Sequence, residues 1–164
     1  MTDQTLNPEI LVIGAGPAGS TAAYALARLG HDVLLIDAAT FPRDKTCGDG
    51  LTPMAVNTLH EIDALPLVEG AGAVRIDHTR IKGPFGVQAT MRFADYHPAY
   101  PYALTLPRLT LDDTLRQHAV SAGVEFMGAV RVEDIERSGQ QITRIKASTP
   151  AGPLVRWKFL PTMS

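Results

Sequence analysis

Three glycines and one acid carry the most specific chemistry in the chain: Gly14, Gly16 and Gly19, spaced G-x-G-x-x-G, and Asp37 further on. Gly14 is expected to make the tight turn out of a strand, Gly16 to let the backbone approach a pyrophosphate, and Gly19 to let the following helix lie close to the sheet. Pro17 suits a first helical turn, because the amide hydrogen it lacks would be unpaired there, and Ala18 completes the motif. The helix N-terminus then offers N–H groups and a positive dipole end to an anion, worth roughly 0.3 to 1 kcal/mol per charge. Asp37 stands at the spacing where an acid accepts ribose hydroxyls, and its charge disfavours a 2′-phosphate. NADP is therefore disfavoured, while FAD and NAD both remain. A bare glycine turn in a strand-to-helix unit is the plain alternative. The combination of strand, helix, second strand and terminal acid favours dinucleotide binding.

A second cluster lies in the loop Thr40 to Gly50, which holds Arg43, Lys45, Cys47, Gly48, Asp49 and Gly50 within a few residues. Cations near Cys47 would favour its thiolate if the fold brings them together. Gly48 and Gly50 would allow the backbone to pass close to a flat ligand. A solvated turn with an incidental cysteine accounts for the same residues equally well. His31, His60, His78, His97 and His118 show no metal-ligand spacing, so no metal site is expected.

The elements that must position these residues follow from periodicity. Ile10 to Ile13 and Val33 to Ile36 read as short buried strands. The helix between them has Ala18, Ala22, Ala25, Leu26 and Leu29 as its apolar face and Gly30 as its stop. Thr52 and Pro53 open a second helix lined by Val56, Leu59, Ile62 and Leu65. Val74 to Ile81 and Gly86 to Phe93 alternate as strands around a turn at Lys82 to Phe85, and Tyr102 to Leu106 is a further strand. Arg108 precedes a helix in which Thr110 and Asp113 form a variant capping pair, with Leu111, Leu115, Ala119 and Ala122 on its apolar side. A cation at that helix start is a mild misfit with the dipole. Val124 to Met127, Val130 to Glu136, Ile142 to Ser148 and Leu154 to Leu160 read as strands, the last three as a meander.

The chain has 164 residues, 45% hydrophobic and 20% charged, with a formal net charge of −2. That is globular composition with enough length for one core, and it gives no sign of a nucleic-acid surface. Cys47 is the only cysteine, which rules out an internal disulfide framework and fits a reducing compartment. The start, Met1 to Pro8, lacks the pattern of a secretory signal, and no apolar run approaches a membrane span. A cytoplasmic location is expected, compatible with work on a lipid at the membrane.

The sequence FPRDKTCGDGLTP, placed shortly after VIGAGPAGS and LLID, resembles the geranylgeranyl reductase family of FAD-dependent oxidoreductases, most closely the branch that saturates isoprenoid chains, including the side chain of menaquinone. The resemblance implies an α/β fold: a Rossmann-like FAD-binding domain of the aromatic-hydroxylase type with a βαβ core, a β-meander and the first strands of a substrate domain. It implies FAD as cofactor, with contacts from Gly14, Gly16, Pro17, Ala18, Gly19, Asp37, Ala38, Arg43, Lys45, Cys47, Gly48 and Arg108. Cys47 is the one candidate catalytic side chain. The implied division is residues 1–73 and 101–160 to the FAD-binding domain, 74–100 to the start of a substrate domain, and 161–164 as a tail. In that setting Phe93, Tyr96, Tyr100 and Tyr102 would line an isoprenoid channel, although packing under Pro98 and Pro101 is the simpler account. The implied reaction is hydride transfer from reduced flavin to a carbon–carbon double bond of an isoprenoid or polyprenyl-quinone substrate, with an external electron donor. A flavin monooxygenase or halogenase, and an inactive dinucleotide-binding fragment, are the alternatives. The family's later glycine–aspartate motifs have no counterpart here, so the chain is expected to hold the N-terminal part of the family pattern.

Overall fold

The computed structural model describes residues 5–6, 8–151 and 155–158, with side chains over 8–151. In chain order the elements are β1 (Thr5–Leu6), β2 (Ile10–Ile13), α1 (Pro17–Arg28), β3 (Val33–Ile36), β4 (Gly50–Leu51), α2 (Pro53–Glu61), α3 (Leu65–Gly70), β5 (Val74–Ile76), β6 (His78–Lys82) and β7 (Gln88–Arg92). There follow β8 (Ala103–Thr105), α4 (Arg108–Ser121), β9 (Glu125–Met127), β10 (Arg131–Ser138), β11 (Gln141–Ser148) and β12 (Val155–Lys158). The chain divides into two compact units, one made of residues up to Phe41 together with those from Arg116 onward, the other Pro42–Leu115.

In the first unit β3 runs parallel between β2 and β9. All four of its residues, Val33 to Ile36, are buried, which is why the run is continuously apolar and does not alternate. A second sheet has the order β1-β12-β11-β10. Leu34 and Ile36 from the parallel sheet meet Val130, Ile145 and Ala147 in one core cluster, so the meander closes over the end of the βαβ unit. The strand expected over Leu154 to Leu160 is seen as β12, with residues 154, 159 and 160 outside the described residues. The start of the chain, read as merely polar, contributes β1, which pairs in parallel with β12.

The expected face of α1 is corrected. Ser20, Ala23 and Tyr24 are its buried residues, whereas Ala18, Ala22 and Ala25 are exposed and Leu29 is 75% exposed. Two partners hold this face. Tyr24 stacks on His118 with ring centroids 4.2 Å apart, and the Ser20 hydroxyl, fully buried, donates to the Ala15 carbonyl at 3.2 Å.

In the second unit β8 lies between β4 and β5, antiparallel to both, and β6 pairs with β7 as a separate hairpin. Val56, Leu59, Ile62 and Leu65 are buried as the stripe predicted. Leu65 nevertheless belongs to a separate helix, α3, because Asp63 adopts φ +57 and stops α2. The aromatics find separate partners. Tyr102 is buried with the Arg75 guanidinium 3.5 Å above its ring, Tyr100 faces His60 at 5.5 Å, and Tyr96 is 66% exposed.

Candidate functional site

In the first unit the site is the turn between β2 and α1. Gly14 takes φ +102, a left-handed conformation that side chains resist, and its amide donates to the Ile36 carbonyl at 2.7 Å. Gly16 is the extended N-cap residue of α1, no side chain caps the helix, and Pro17 occupies its first turn. A Cβ placed on Gly19 would lie 1.8 Å from the Gly14 carbonyl oxygen, so the motif's last glycine is demanded by the turn itself. This is the cradle a pyrophosphate requires: a backbone-lined turn opening on an uncapped helix N-terminus.

Asp37 does more than its spacing suggested. Its Oδ2 accepts from the Ala15 amide and its Oδ1 from the Ala39 amide, each at 2.8 Å. The acid at the end of β3 thus ties down the glycine turn. Ionised carboxylate oxygens have lone pairs beyond these two bonds, so the group can still accept from hydroxyls. Ala18 and Ala38 are exposed, and Gly16 and Pro17 are partly exposed, which leaves the rim of the turn open.

The second unit holds the cationic loop. Arg108 Nε and Nη2 donate to Asp112 Oδ1 and Oδ2 at 2.6 and 2.8 Å, and Arg43 Nη1 lies 3.2 Å from the same Oδ2. Asp112 is wholly buried and the Arg108 side chain nearly so. The Arg108 guanidinium is held above its ordinary pKa, first by the hydrogen bond to Asp112, against the opposing effect of burial, with the Asp112 charge and the neighbouring Cys47 adding to it. Cys47 and Gly48 are exposed. Lys45 is exposed as well, its amide bound to Asp44 Oδ1 at 2.8 Å.

The start of α4 also differs from expectation. Its first turn closes on the Pro107 carbonyl, which accepts from Thr110 and Leu111 at 2.9 Å each, so Thr110 and Asp113 lie inside the helix and not at its entry. Asp49 Oδ1 takes the capping role by accepting the Arg108 amide at 3.1 Å, an N-cap supplied from 59 residues away. Sequence reasoning singled out Arg43 and Arg108 but missed Asp112, although the spacing i, i+4 from Arg108 marks a helical ion pair. The helix-start misfit of Arg108 is resolved by that carboxylate one turn on.

A parallel strand–helix–strand unit with this turn, an uncapped helix N-terminus and an acid closing the second strand defines a dinucleotide-binding protein. The chain belongs to the FAD binding domain family, whose model matches residues 7–153. It is 44% identical over 124 residues to a menaquinone reductase of Mycobacterium tuberculosis, an alignment covering 73% of this chain and 28% of that protein. Among solved structures, it superposes on a flavoprotein/dehydrogenase from Cytophaga hutchinsonii with TM-score 0.83 and 26% identity, covering 95% of this chain and 38% of the other. A myxobacterial chondrochloren halogenase, FAD-dependent, gives TM-score 0.84 at 26% identity, covering 95% and 36%. The fold is therefore that of the FAD-dependent hydroxylases and halogenases, and FAD, not NAD, is the dinucleotide of this domain. The chain spans about three-tenths of the length of the curated menaquinone reductases it matches.

Proposed function

We propose that this chain is the FAD-binding part of an oxidoreductase that saturates a carbon–carbon double bond in the isoprenoid side chain of a polyprenyl quinone. The observation that carries the reading is the 44% identity to a menaquinone reductase, well above the 26% identity to the halogenase of the same fold. When bound, reduced FAD supplies the hydride, and the protein supplies binding and orientation. The amides at the start of α1, reached past Gly16, Pro17 and Ala18, bind the pyrophosphate, and Asp37 beside Ala38 accepts the ribose hydroxyls. Arg43, Lys45, Cys47, Gly48 and Arg108 are assigned to the flavin. Gly48 is exposed, and a Cβ there would meet nothing of the described chain within 4 Å. Electrons come from an external donor. A lipid substrate brings the protein to the membrane surface; no helix among the described residues is long and apolar enough to cross one.

Two measurements test this. FAD is expected in the supernatant of the denatured chain, and calorimetry is expected to give tighter binding of FAD than NAD; the reverse order overturns the cofactor assignment. Anaerobic turnover of a polyprenyl quinone by the chemically reduced chain, joined to the C-terminal part of its M. tuberculosis relative, is expected to add one pair of hydrogens to the side chain. Flavin reoxidation by oxygen with halide or hydroxyl incorporation, and no saturated product, would favour the halogenase or monooxygenase reading.

Asp37→Ala is expected to weaken FAD binding by about 1.5 to 3 kcal/mol, the range for hydrogen bonds to a charged group, and Asp37→Asn by less because an acceptor oxygen remains. Titration calorimetry reads both. Wild-type affinity in the pair would place the ribose elsewhere.

A further inference from the structure

Ala15 is fully buried in the middle of the glycine turn, and both of its backbone polar groups are bound by side chains. Its amide donates to Asp37 Oδ2 at 2.8 Å. Its carbonyl accepts from the Ser20 hydroxyl at 3.2 Å. Ser20 has no exposure of its own and lies on the buried face of α1. The Ser20 amide takes the Gly16 carbonyl at 2.9 Å in the usual helical way, and the hydroxyl reaches one residue further back, to a carbonyl outside the helix. One residue thus binds two successive carbonyls of the turn, those of Ala15 and Gly16.

In a trans peptide the C=O and the N–H point in opposite directions. With the Ala15 carbonyl drawn inward to a buried hydroxyl, the N–H of Gly16, which belongs to the same peptide, points to the other side, where the turn is partly exposed. Pro17 supplies no N–H, so the rim loses a donor it cannot replace nearby if that of Gly16 turns away. We infer that Ser20 is a positioning residue for the cofactor's pyrophosphate: its hydroxyl fixes the Ala15–Gly16 peptide with the C=O inward and the N–H outward. Without the hydroxyl the peptide is released, and a half-turn of it would set a carbonyl oxygen against the phosphate. The inference rests on the placement of the pyrophosphate at the start of α1 proposed above.

Two probes separate the pyrophosphate from the rest of the cofactor: FAD, and adenosine, which keeps the base and ribose but has no phosphate. Ser20→Ala is expected to weaken FAD binding roughly five- to tenfold, the effect of one hydrogen bond, and to leave adenosine binding unchanged. Calorimetry reads the first and ligand-observed NMR the second, both well below the melting temperature of each variant. Ser20→Cys, a weaker donor of similar size, is expected to fall between alanine and the wild type. Unchanged FAD affinity in Ser20→Ala overturns the inference. So do equal losses for FAD and adenosine, the pattern of a general loosening of the unit. If Ser20→Ala does not fold, Ser20→Cys carries the test: a loss confined to FAD is expected, and wild-type affinity overturns the inference. Failure of the pyrophosphate placement is distinguished in the wild type alone, which would then bind ADP no more tightly than adenosine, and that result overturns the inference with it.

Discussion

Gly19→Ala is expected to yield protein that carries no FAD and melts at a lower temperature than the wild type. The added Cβ would sit 1.8 Å from the Gly14 carbonyl oxygen and 3.0 Å from its carbon, both backbone atoms of the turn that must stay in place to receive the pyrophosphate. A flexible side chain would swing aside, but this obstacle can be relieved only by moving the turn or the start of α1. Forcing volume into packed structure costs on the order of 1 to 3 kcal/mol, and the distortion falls on the phosphate cradle. The ratio of flavin to protein absorbance after purification, with a thermal melt beside it, decides the matter. A variant binding FAD as the wild type does would mean that the cofactor does not use this turn.

Asp112→Ala is expected to destabilise the folded chain by about 3 to 5 kcal/mol, the range for breaking a buried ion pair by removing one partner. Alanine leaves the Arg108 guanidinium, with 9% of its side chain exposed, and that of Arg43, with 13%, facing each other without the intervening charge. A whole domain has only about 5 to 15 kcal/mol in hand, so the loss is a large share of the total. Urea unfolding measures it. A loss below about 1 kcal/mol would show that the arginines reach water at little cost, as in an exposed pair.

The parts of this fold that were legible in the sequence are those where one residue type has one physical use. The glycine turn, the buried run Val33 to Ile36 and the apolar side of α2 formed by Val56 and Leu59 read correctly because conformational freedom and apolar bulk are strong local signals. The face of α1 did not read. Alanines surround that helix, and its orientation is set by Tyr24 meeting His118, a contact across 94 positions, and by a buried serine whose partner, Ala15 O, lies just before the helix. The site shows the same division. Arg43 and Arg108 were visible as cations, but Asp112 and Asp49 acquire their roles from where the chain returns. A capping pair at Thr110 and Asp113 matched a local pattern, while the cap that forms comes from Asp49, and no local pattern contains that pairing. Separation of α3 from α2 at Asp63 was hidden because a left-handed aspartate leaves little trace in hydrophobic spacing.

The pairing of β1 with β12 sets a folding order. Thr5 lies opposite Arg156, so their contact closes a loop of about 150 residues, whereas β10 and β11 are joined by a tight turn at Ser138 to Gln141. Loop-closure entropy grows with the logarithm of length, and contacts of such separation gain nothing until the intervening chain has condensed. The β10–β11 hairpin is therefore the early template of its sheet, β12 adds to it locally, and β1 joins last. On a ribosome this order has a plain consequence: β1 has to wait until about 150 further residues are made before it finds its neighbour.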